Sequence, residues 1–246
     1  MSENDMYEDF ADRYDWMNIH DPAREVFFKT LFKKNNVSDV LDCACGTGKD
    51  LIMFHSLGYS VIGSDLSNAM LRKAHENLKE ASLDLPLINS DFRELEKHFK
   101  TQFDAVVCLT NSINEVLDES EVRRALESMK AILRPGGILV FDQGQSDATM
   151  KNPPRYDPVI NNRDFSRLFV LEYSANVMQV KIFDFVHTED KCEFNHTTVN
   201  VAIRLKDDWD RILSDVGFSD IHYLGDLDFA PYDKNTSRRL IVVAHK

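Results

Sequence analysis

Between residues 38 and 142, short apolar runs alternate with stretches of helical periodicity. The runs are residues 40–42, 60–63, 85–88, 103–108 and 137–141. They are continuous and partly β-branched, the pattern of parallel strands covered on both faces. Leu51, Ile52 and Phe54 lead a helix that stops at Gly58, a natural left-handed C-cap. A second helix starts near Ser67 and carries Met70, Leu71 and Ala74. A third begins after Asp118, with Glu121 placed as capping-box partner. It puts Val122, Leu126, Met129 and Leu133 on one face and ends at Arg134-Pro135-Gly136-Gly137. This alternation predicts a doubly wound α/β sheet.

The pattern changes after about residue 146. Residues 167–173, 177–187 and 192–204 read as strands, with Thr188-Glu189-Asp190-Lys191 as the turn of an antiparallel pair. This segment either extends the sheet or forms a small lobe over it. A helix follows, with Trp209, Ile212, Leu213 and Val216 on one face and Gly217 closing it. Residues 219–224 and 239–244 read as the last strands. The first 35 residues read as helical, because Val26, Phe27, Thr30 and Leu31 share a face.

Composition narrows the picture. The 246 residues carry Lys+Arg 29 against Asp+Glu 41, a formal net charge of −12. That balance argues against a nucleic-acid partner, which needs clustered cations. Lys33-Lys34 and Arg123-Arg124 are too sparse for one. No run approaches the ~18 apolar residues of a membrane span. Cys43, Cys45, Cys108 and Cys192 read as reduced thiols, and the acidic start MSENDMYEDF lacks a signal pattern. The expectation is a cytoplasmic protein, monomer or homodimer.

The most informative segment is Asp42-Cys43-Ala44-Cys45-Gly46-Thr47-Gly48, between the first strand and the first crossover helix. Gly46 and Gly48 permit a tight turn and close ligand approach. Asp65 ends the second strand, where a carboxylate accepts hydrogen bonds from ribose hydroxyls. A nicotinamide or flavin site would place a third glycine at position 51, which is Leu. Asp42 would repel a pyrophosphate and suits a cationic ligand. S-adenosylmethionine (SAM) carries an ammonium and a sulfonium and no phosphate, so the chemistry favours SAM over NAD.

With these residues the sequence resembles a class I SAM-dependent methyltransferase, over about residues 38–142 with specific motifs and more loosely elsewhere. The resemblance implies a Rossmann-like seven-stranded sheet in a single domain. Residues 1–35 would form a helical lid, 36–146 the cofactor core, 147–205 an antiparallel substrate-side insertion after strand five, and 206–246 the closing helix and strands. It implies that the loop with Asp42, Ala44, Cys45, Gly46 and Gly48 lies under the methionine part of SAM. Asp65 would hold the ribose, with Leu66 beside it. Asp91 would reach the adenine amino group and Phe92 pack on its face. The competing reading of Asp91 is a solvated turn residue.

The stretch Phe103-Asp104-Ala105-Val106-Val107-Cys108-Leu109-Thr110-Asn111-Ser112 is similar to the fourth-strand motif of glycine and sarcosine N-methyltransferases. Leu224-Gly225-Asp226 with Pro231-Tyr232 also fits them. By that resemblance Leu109 touches the cofactor and Asn111 offers its amide to the substrate. The competing reading of Asn111 is a turn cap. Those enzymes use an arginine just beyond the fifth strand to grip a substrate carboxylate. Here the stretch reads Phe141-Asp142-Gln143-Gly144-Gln145, leaving Arg155, Arg163 and Arg167 as candidates.

The segment from Tyr7 to Trp16 resembles the lid that precedes the sheet in small-molecule methyltransferases. Tyr7, Phe10 and Tyr14 share a helical face, and aromatic faces attract a sulfonium or ammonium. Tyr14 is assigned to the site, as a cofactor contact and catalytic candidate with Asn111; Tyr7 and Phe10 serve equally well as packing. Arg24 is a candidate partner for the SAM carboxylate.

Two further patterns are set aside. Asn152-Pro153-Pro154-Arg155-Tyr156 resembles a motif of nucleic-acid amino methyltransferases, but follows the wrong strand and reads as a turn. His187, Glu189, Cys192 and His196 match no common zinc spacing, so no metal is expected. The sequence therefore predicts a SAM-dependent enzyme that methylates a small molecule, foremost an amine of glycine or sarcosine type. The alternatives are an O-methyltransferase, a SAM-binding protein without turnover, and a nicotinamide oxidoreductase.

Overall fold

The computed structural model describes residues 5, 7–17 and 21–246. In chain order it contains α1 (Ala11–Tyr14), α2 (Pro22–Lys34), β1 (Asp39–Asp42), α3 (Lys49–Ser56), β2 (Ser60–Asp65), α4 (Asn68–Glu80) and β3 (Leu87–Asn89). Then come α5 (Leu95–His98), β4 (Phe103–Cys108), α6 (Glu119–Ile132), β5 (Leu133–Gln143), α7 (Asp147–Lys151), β6 (Tyr156–Asn161) and β7 (Phe165–Ser174). The chain closes with β8 (Val177–His187), β9 (Cys192–Ala202), α8 (Lys206–Val216), β10 (Ser219–Leu224) and β11 (Leu240–His245). Short 3₁₀ turns occupy Asp15–Met17 and Ser112–Glu115.

Seven strands form one sheet in the order β10-β11-β5-β4-β1-β2-β3. Only β11 runs against its neighbours, β5 and β10. The order reverses between β1 and β4, and the carboxyl ends of strands at such a point form a natural ligand crevice. One face is covered by α6 and α8 through Val122, Leu126, Met129, Trp209 and Leu213. The other is covered by α2 and α3 through Phe27, Phe28, Leu31, Phe32, Leu51 and Phe54. A seven-stranded α/β fold is thus what forms.

Residues 147–205 resolve the choice left open by the sequence. β6–β9 make a separate antiparallel sheet and do not extend the first. The hairpin turn falls at 188–191, where Thr188 N donates to Lys191 O at 2.9 Å. β6 and α7 were not anticipated; Pro158 within β6 and the short polar run of α7 give no periodic signal.

Three local expectations are corrected. The buried face of α2 is Phe27, Phe28, Leu31 and Phe32, while Val26 is 65 % exposed and Thr30 is exposed. Two adjacent i, i+4 columns of large apolar side chains bury more apolar area than the face through Val26 and Thr30 would. Asp118 caps α6 by accepting from Ser120 N, but Glu121 does not return the bond. Its carboxylate is engaged by Arg93 at 2.8 Å, a charged partner. The N-terminal segment is no single helix: α1 passes through a 3₁₀ turn, and Asp21 with Pro22 starts α2 afresh.

The second sheet packs on α1 and α4 through Leu171, Met178, Ile182, Val199 and Val201 against Phe10, Ala11, Ala69 and Met70. A buried ionic cluster fastens this contact. Arg167, 1 % exposed, gives Nε and Nη2 to Asp184 at 2.6 and 2.7 Å. Arg13 of α1 donates to the same carboxylate at 3.0 Å, and Arg167 donates to its carbonyl at 3.1 Å. The Arg167 guanidinium also lies 4.7 Å from the Phe10 ring centroid. Arg167 is therefore not free to grip a ligand, and Arg155 and Arg163 are exposed.

Removing one partner of a buried ion pair leaves the other charge without compensation. Asp184→Ala is expected to lower the unfolding free energy by about 3–5 kcal/mol in urea titrations. A loss below about 1 kcal/mol would show that Arg167 finds another partner.

Candidate functional site

The site grows from the turn after β1. Gly46 and Gly48 both have left-handed φ, +50° and +78°. An added Cβ on Gly46 would meet nothing within 4 Å, so the inner face of the turn opens onto space. At Gly48 it would lie 3.2 Å from Ala74 Cβ, so this glycine serves helix packing. The space is a cleft of about 890 Å³. Tyr14, Met17, Arg24, Ala44, Cys45, Gly46, Thr47, Asp50, Leu109, Thr110 and Ser112 contribute to its walls. Of the residues expected from sequence, it brings together Tyr14, Arg24, Ala44, Cys45, Gly46 and Leu109.

Two carboxylates brace the turn. Asp42, 2 % exposed, accepts from Ala44 N at 3.2 Å. Burial, reinforced by Asp50, pushes its carboxyl well above the usual range. Asp65 accepts from Gly46 N at 2.8 Å through Oδ2 and from Ser67 N at 2.9 Å through Oδ1. Burial raises its value too, against the pull of those backbone donors. Each oxygen keeps a second lone pair for a hydroxyl donor. Leu66, next in the chain, is 64 % exposed beside it.

Asp91, Phe92 and Asn111 lie off the cleft wall, and Arg24 on it is already paired. Asp91 is bound by Arg93, with Nε 2.9 Å and Nη2 2.5 Å from Oδ2. Burial raises its carboxyl and that arginine more than offsets the rise, so Asp91 stays ionised and paired. Phe92 packs toward the core beside α6. Asn111 is off the cleft wall, and its Oδ1 accepts from Gly144 N at 3.2 Å. Arg24 forms a two-bonded pair with Asp50, at 2.8 and 2.7 Å, and stands 3.8 Å from Asp142. Burial disfavours its charge, but Asp50 outweighs this and holds it protonated.

Thr110 and Asn111 both take left-handed φ, +59° and +66°. For a β-branched threonine this is strained, and such strain concentrates at binding sites. Asp142 holds the pair: its Oδ1 accepts from Thr110 N at 2.6 Å and its carbonyl from Asn111 N at 3.1 Å. Arg239, from the segment before β11, comes within 3.9 Å of the same carboxylate. Gln143 fixes the neighbouring 3₁₀ turn, accepting from Asn114 Nδ2 at 2.9 Å and Trp209 Nε1 at 2.8 Å.

The lid is tied down by its own polar side chains. Asp5 accepts from Ser67 Oγ at 2.7 Å and Ala69 N at 3.1 Å. Asp15 accepts from the Thr47 hydroxyl and from Asn77 Nδ2 at 2.6 Å. Tyr7 donates its hydroxyl to Glu115 at 2.6 Å. The Phe10 and Tyr14 rings meet edge to face at 5.6 Å. Thr47, Asp50, Thr110, Glu115 and Asp142 were missed by sequence reasoning. Thr47, Thr110 and Asp142 stand inside the quoted motifs, whose pattern gives them no role of their own; nothing local marks Asp50 or Glu115.

The comparisons with known proteins agree with the fold. Residues 40–137 match the family described as Methyltransferase domain. The glycine/sarcosine N-methyltransferase of Aphanothece halophytica is 31 % identical over 232 residues, covering 91 % of this chain and 83 % of that one. The glycine/sarcosine N-methyltransferase of Halorhodospira halochloris is 28 % identical, covering 87 % and 78 %. A S-adenosylmethionine-dependent methyltransferase from Clostridium acetobutylicum superposes with a TM-score of 0.82 at 19 % identity, covering 97 % and 98 %. The SAM-bound amino pentose methyltransferase of Micromonospora echinaspora gives 0.76 at 23 %, covering 100 % of each chain. The chain belongs to the SAM-dependent methyltransferase family. Among the described residues, no helix is long and apolar enough to cross a membrane.

Asp142→Ala would strand the Thr110 amide and release the strained pair. The unfolding free energy is expected to fall by about 1–3 kcal/mol. Chemical denaturation measures this, and an unchanged midpoint would mean the pair is held by other contacts.

Proposed function

We propose that this enzyme transfers a methyl group from SAM to the nitrogen of a small-molecule amine. The observation that carries the proposal is the burial of Asp42 and Asp65 around an open glycine turn. Desolvated carboxylates favour a ligand that brings positive charge. SAM fits the residues present: the Asp42 side faces an ammonium, the free lone pairs of Asp65 suit ribose hydroxyls, and the Gly46 backbone leaves room for the chain between. Ala44, Cys45 and Leu109 would line the methionine portion, and Leu66 offers apolar surface beside the Asp65 carboxylate. Arg24 is the cation for a ligand carboxylate, shared with Asp50. Adenine recognition by Asp91 would require it to share its carboxylate with Arg93.

Bound SAM supplies an electrophilic methyl group on a cationic sulfur. The chain's contribution is alignment and exclusion of water. Tyr14 roofs the cleft with an aromatic face suited to positive charge. Its hydroxyl is held protonated by burial, with nearby Glu115 opposing ionisation further, so it acts as a donor. Asn111 stands behind the cleft wall at the end of β4, so it would reach the acceptor only with the part of its amide that Gly144 leaves free. The curated relatives are named as glycine/sarcosine enzymes, which supports an amine acceptor. Arg24 and Arg239 both already face Asp142, so a ligand carboxylate would compete with it for either.

Three measurements check this. Thermal stabilisation is expected with SAM and S-adenosylhomocysteine and not with NAD; the reverse would overturn the cofactor. Asp65→Ala is expected to weaken S-adenosylhomocysteine binding by about 10–100-fold in calorimetry, the worth of charge-assisted hydrogen bonds. Labelled-methyl transfer to glycine, sarcosine, ethanolamine and carboxylic acids is expected to label nitrogen. Labelling of oxygen alone would refute the amine assignment.

A further inference from the structure

Glu115 ends the 3₁₀ turn that follows β4, the same turn that brings Ser112 to the cleft wall. The turn is held in place from below, since buried Asn114 donates to Gln143. Tyr7 of the lid donates to Glu115 Oε1 at 2.6 Å. Oε2 has no protein partner among the described residues, yet it is not sealed in the core, and Glu115 is half-buried. One oxygen is therefore fixed by the lid while the other is left unpaired, on the turn whose Ser112 lines the cleft.

The groups facing Glu115 come from each element around it. The lid contributes Tyr7 and Tyr14, and the end of β2 contributes the Asp65 carboxylate. The segment after β9 contributes Arg204, but its guanidinium donates to the Val116 and Leu117 carbonyls at 2.8 and 2.9 Å. No salt bridge joins Glu115 to a cation among the described residues. Burial, opposed by the Tyr7 hydrogen bond and reinforced by Asp65, pushes its carboxyl up to about 7. A carboxylate with one held oxygen, one open oxygen and no cation is a receptor for a cation.

We propose that Glu115 binds the ammonium group of the acceptor and takes its proton, so that the acceptor enters as a cation and reacts as a neutral amine. This rests on the amine assignment above and names the charge state and recognition group within it. An ammonium N–H bond breaks and its proton passes to Glu115 Oε2. The nitrogen keeps the electron pair and forms the N–CH₃ bond as the S–CH₃ bond breaks. The neutral carboxyl then returns its proton to solvent. Tyr7 steadies the receiving group throughout and closes the lid over the transfer.

The test is Glu115→Gln, which keeps an acceptor for Tyr7 and removes the base. With glycine, sarcosine and ethanolamine as probes, kcat/KM at pH 7 is expected to fall by about 100-fold or more for each amine the wild type labels. The wild-type profile should rise with pH through about 7, and the variant should lack that limb. S-adenosylhomocysteine affinity should stay within about threefold, because the cofactor contacts are elsewhere. A ligand-free readout is also available. A carboxyl raised from 4.5 to about 7 by folding stabilises the protein at low pH and loses that contribution as pH rises between them. The Tm of the variant minus that of the wild type should therefore grow over this interval and then level. An unchanged pH–rate profile, a flat Tm difference, or loss of S-adenosylhomocysteine affinity in step with activity would each overturn the assignment. If the wild type labels no amine at any pH, the amine assignment itself fails and Glu115 falls with it.

Discussion

The carboxyl edge of the main sheet buries more negative charge than nearby cations neutralise. Asp42, Asp65 and Glu115 are all pushed toward protonation by desolvation. Arg24 is already bound by Asp50, and Arg93 by Asp91 and Glu121. Backbone amides carry part of the load, from Ala44, Gly46 and Ser67. This explains the tight glycine turn, since only such a turn aims amides at both carboxylates. It also explains why a ligand with sulfonium and ammonium groups suits the cleft.

The second sheet serves that edge at one remove. It does not line the principal cleft; it presses α1 down through Phe10, Ala11 and the Arg167–Asp184–Arg13 cluster. The lid is thereby sandwiched between α4 and the antiparallel strands. Its aromatic residues owe their positions to this packing as much as to their own helix. Phe10 faces a protein cation, Arg167, where the sequence had suggested a ligand cation among other uses. Tyr14 remains directed at the cleft.

The alternation of runs between residues 38 and 142 made the main sheet legible, because strands buried on both faces leave continuous apolar signals. The glycine turn was legible for a similar reason: left-handed backbone and close approach demand glycine. Side-chain pairing was not. Asp91 carries its own partner two residues away, and Arg167 finds Asp184 only when β7 and β8 pair. Glu115 was silent because a glutamate after a strand reads as solvent-facing. Its meaning comes from Tyr7, 108 residues earlier. Val26 misled because apolar residues at helical spacing do not say which of two overlapping faces will meet the sheet.

The ion pair between Arg13 and Asp184 spans 171 residues of chain. Loop closure on that scale delays contact formation, because its entropy is lost before the bond forms. The residues that roof the cleft are thus near the start of the sequence, yet part of their anchoring waits until β8 has paired with β7. On a ribosome, the lid would gain its last anchors only when the antiparallel sheet had emerged, however early the glycine turn had formed. Completion of the site thereby reports completion of the fold.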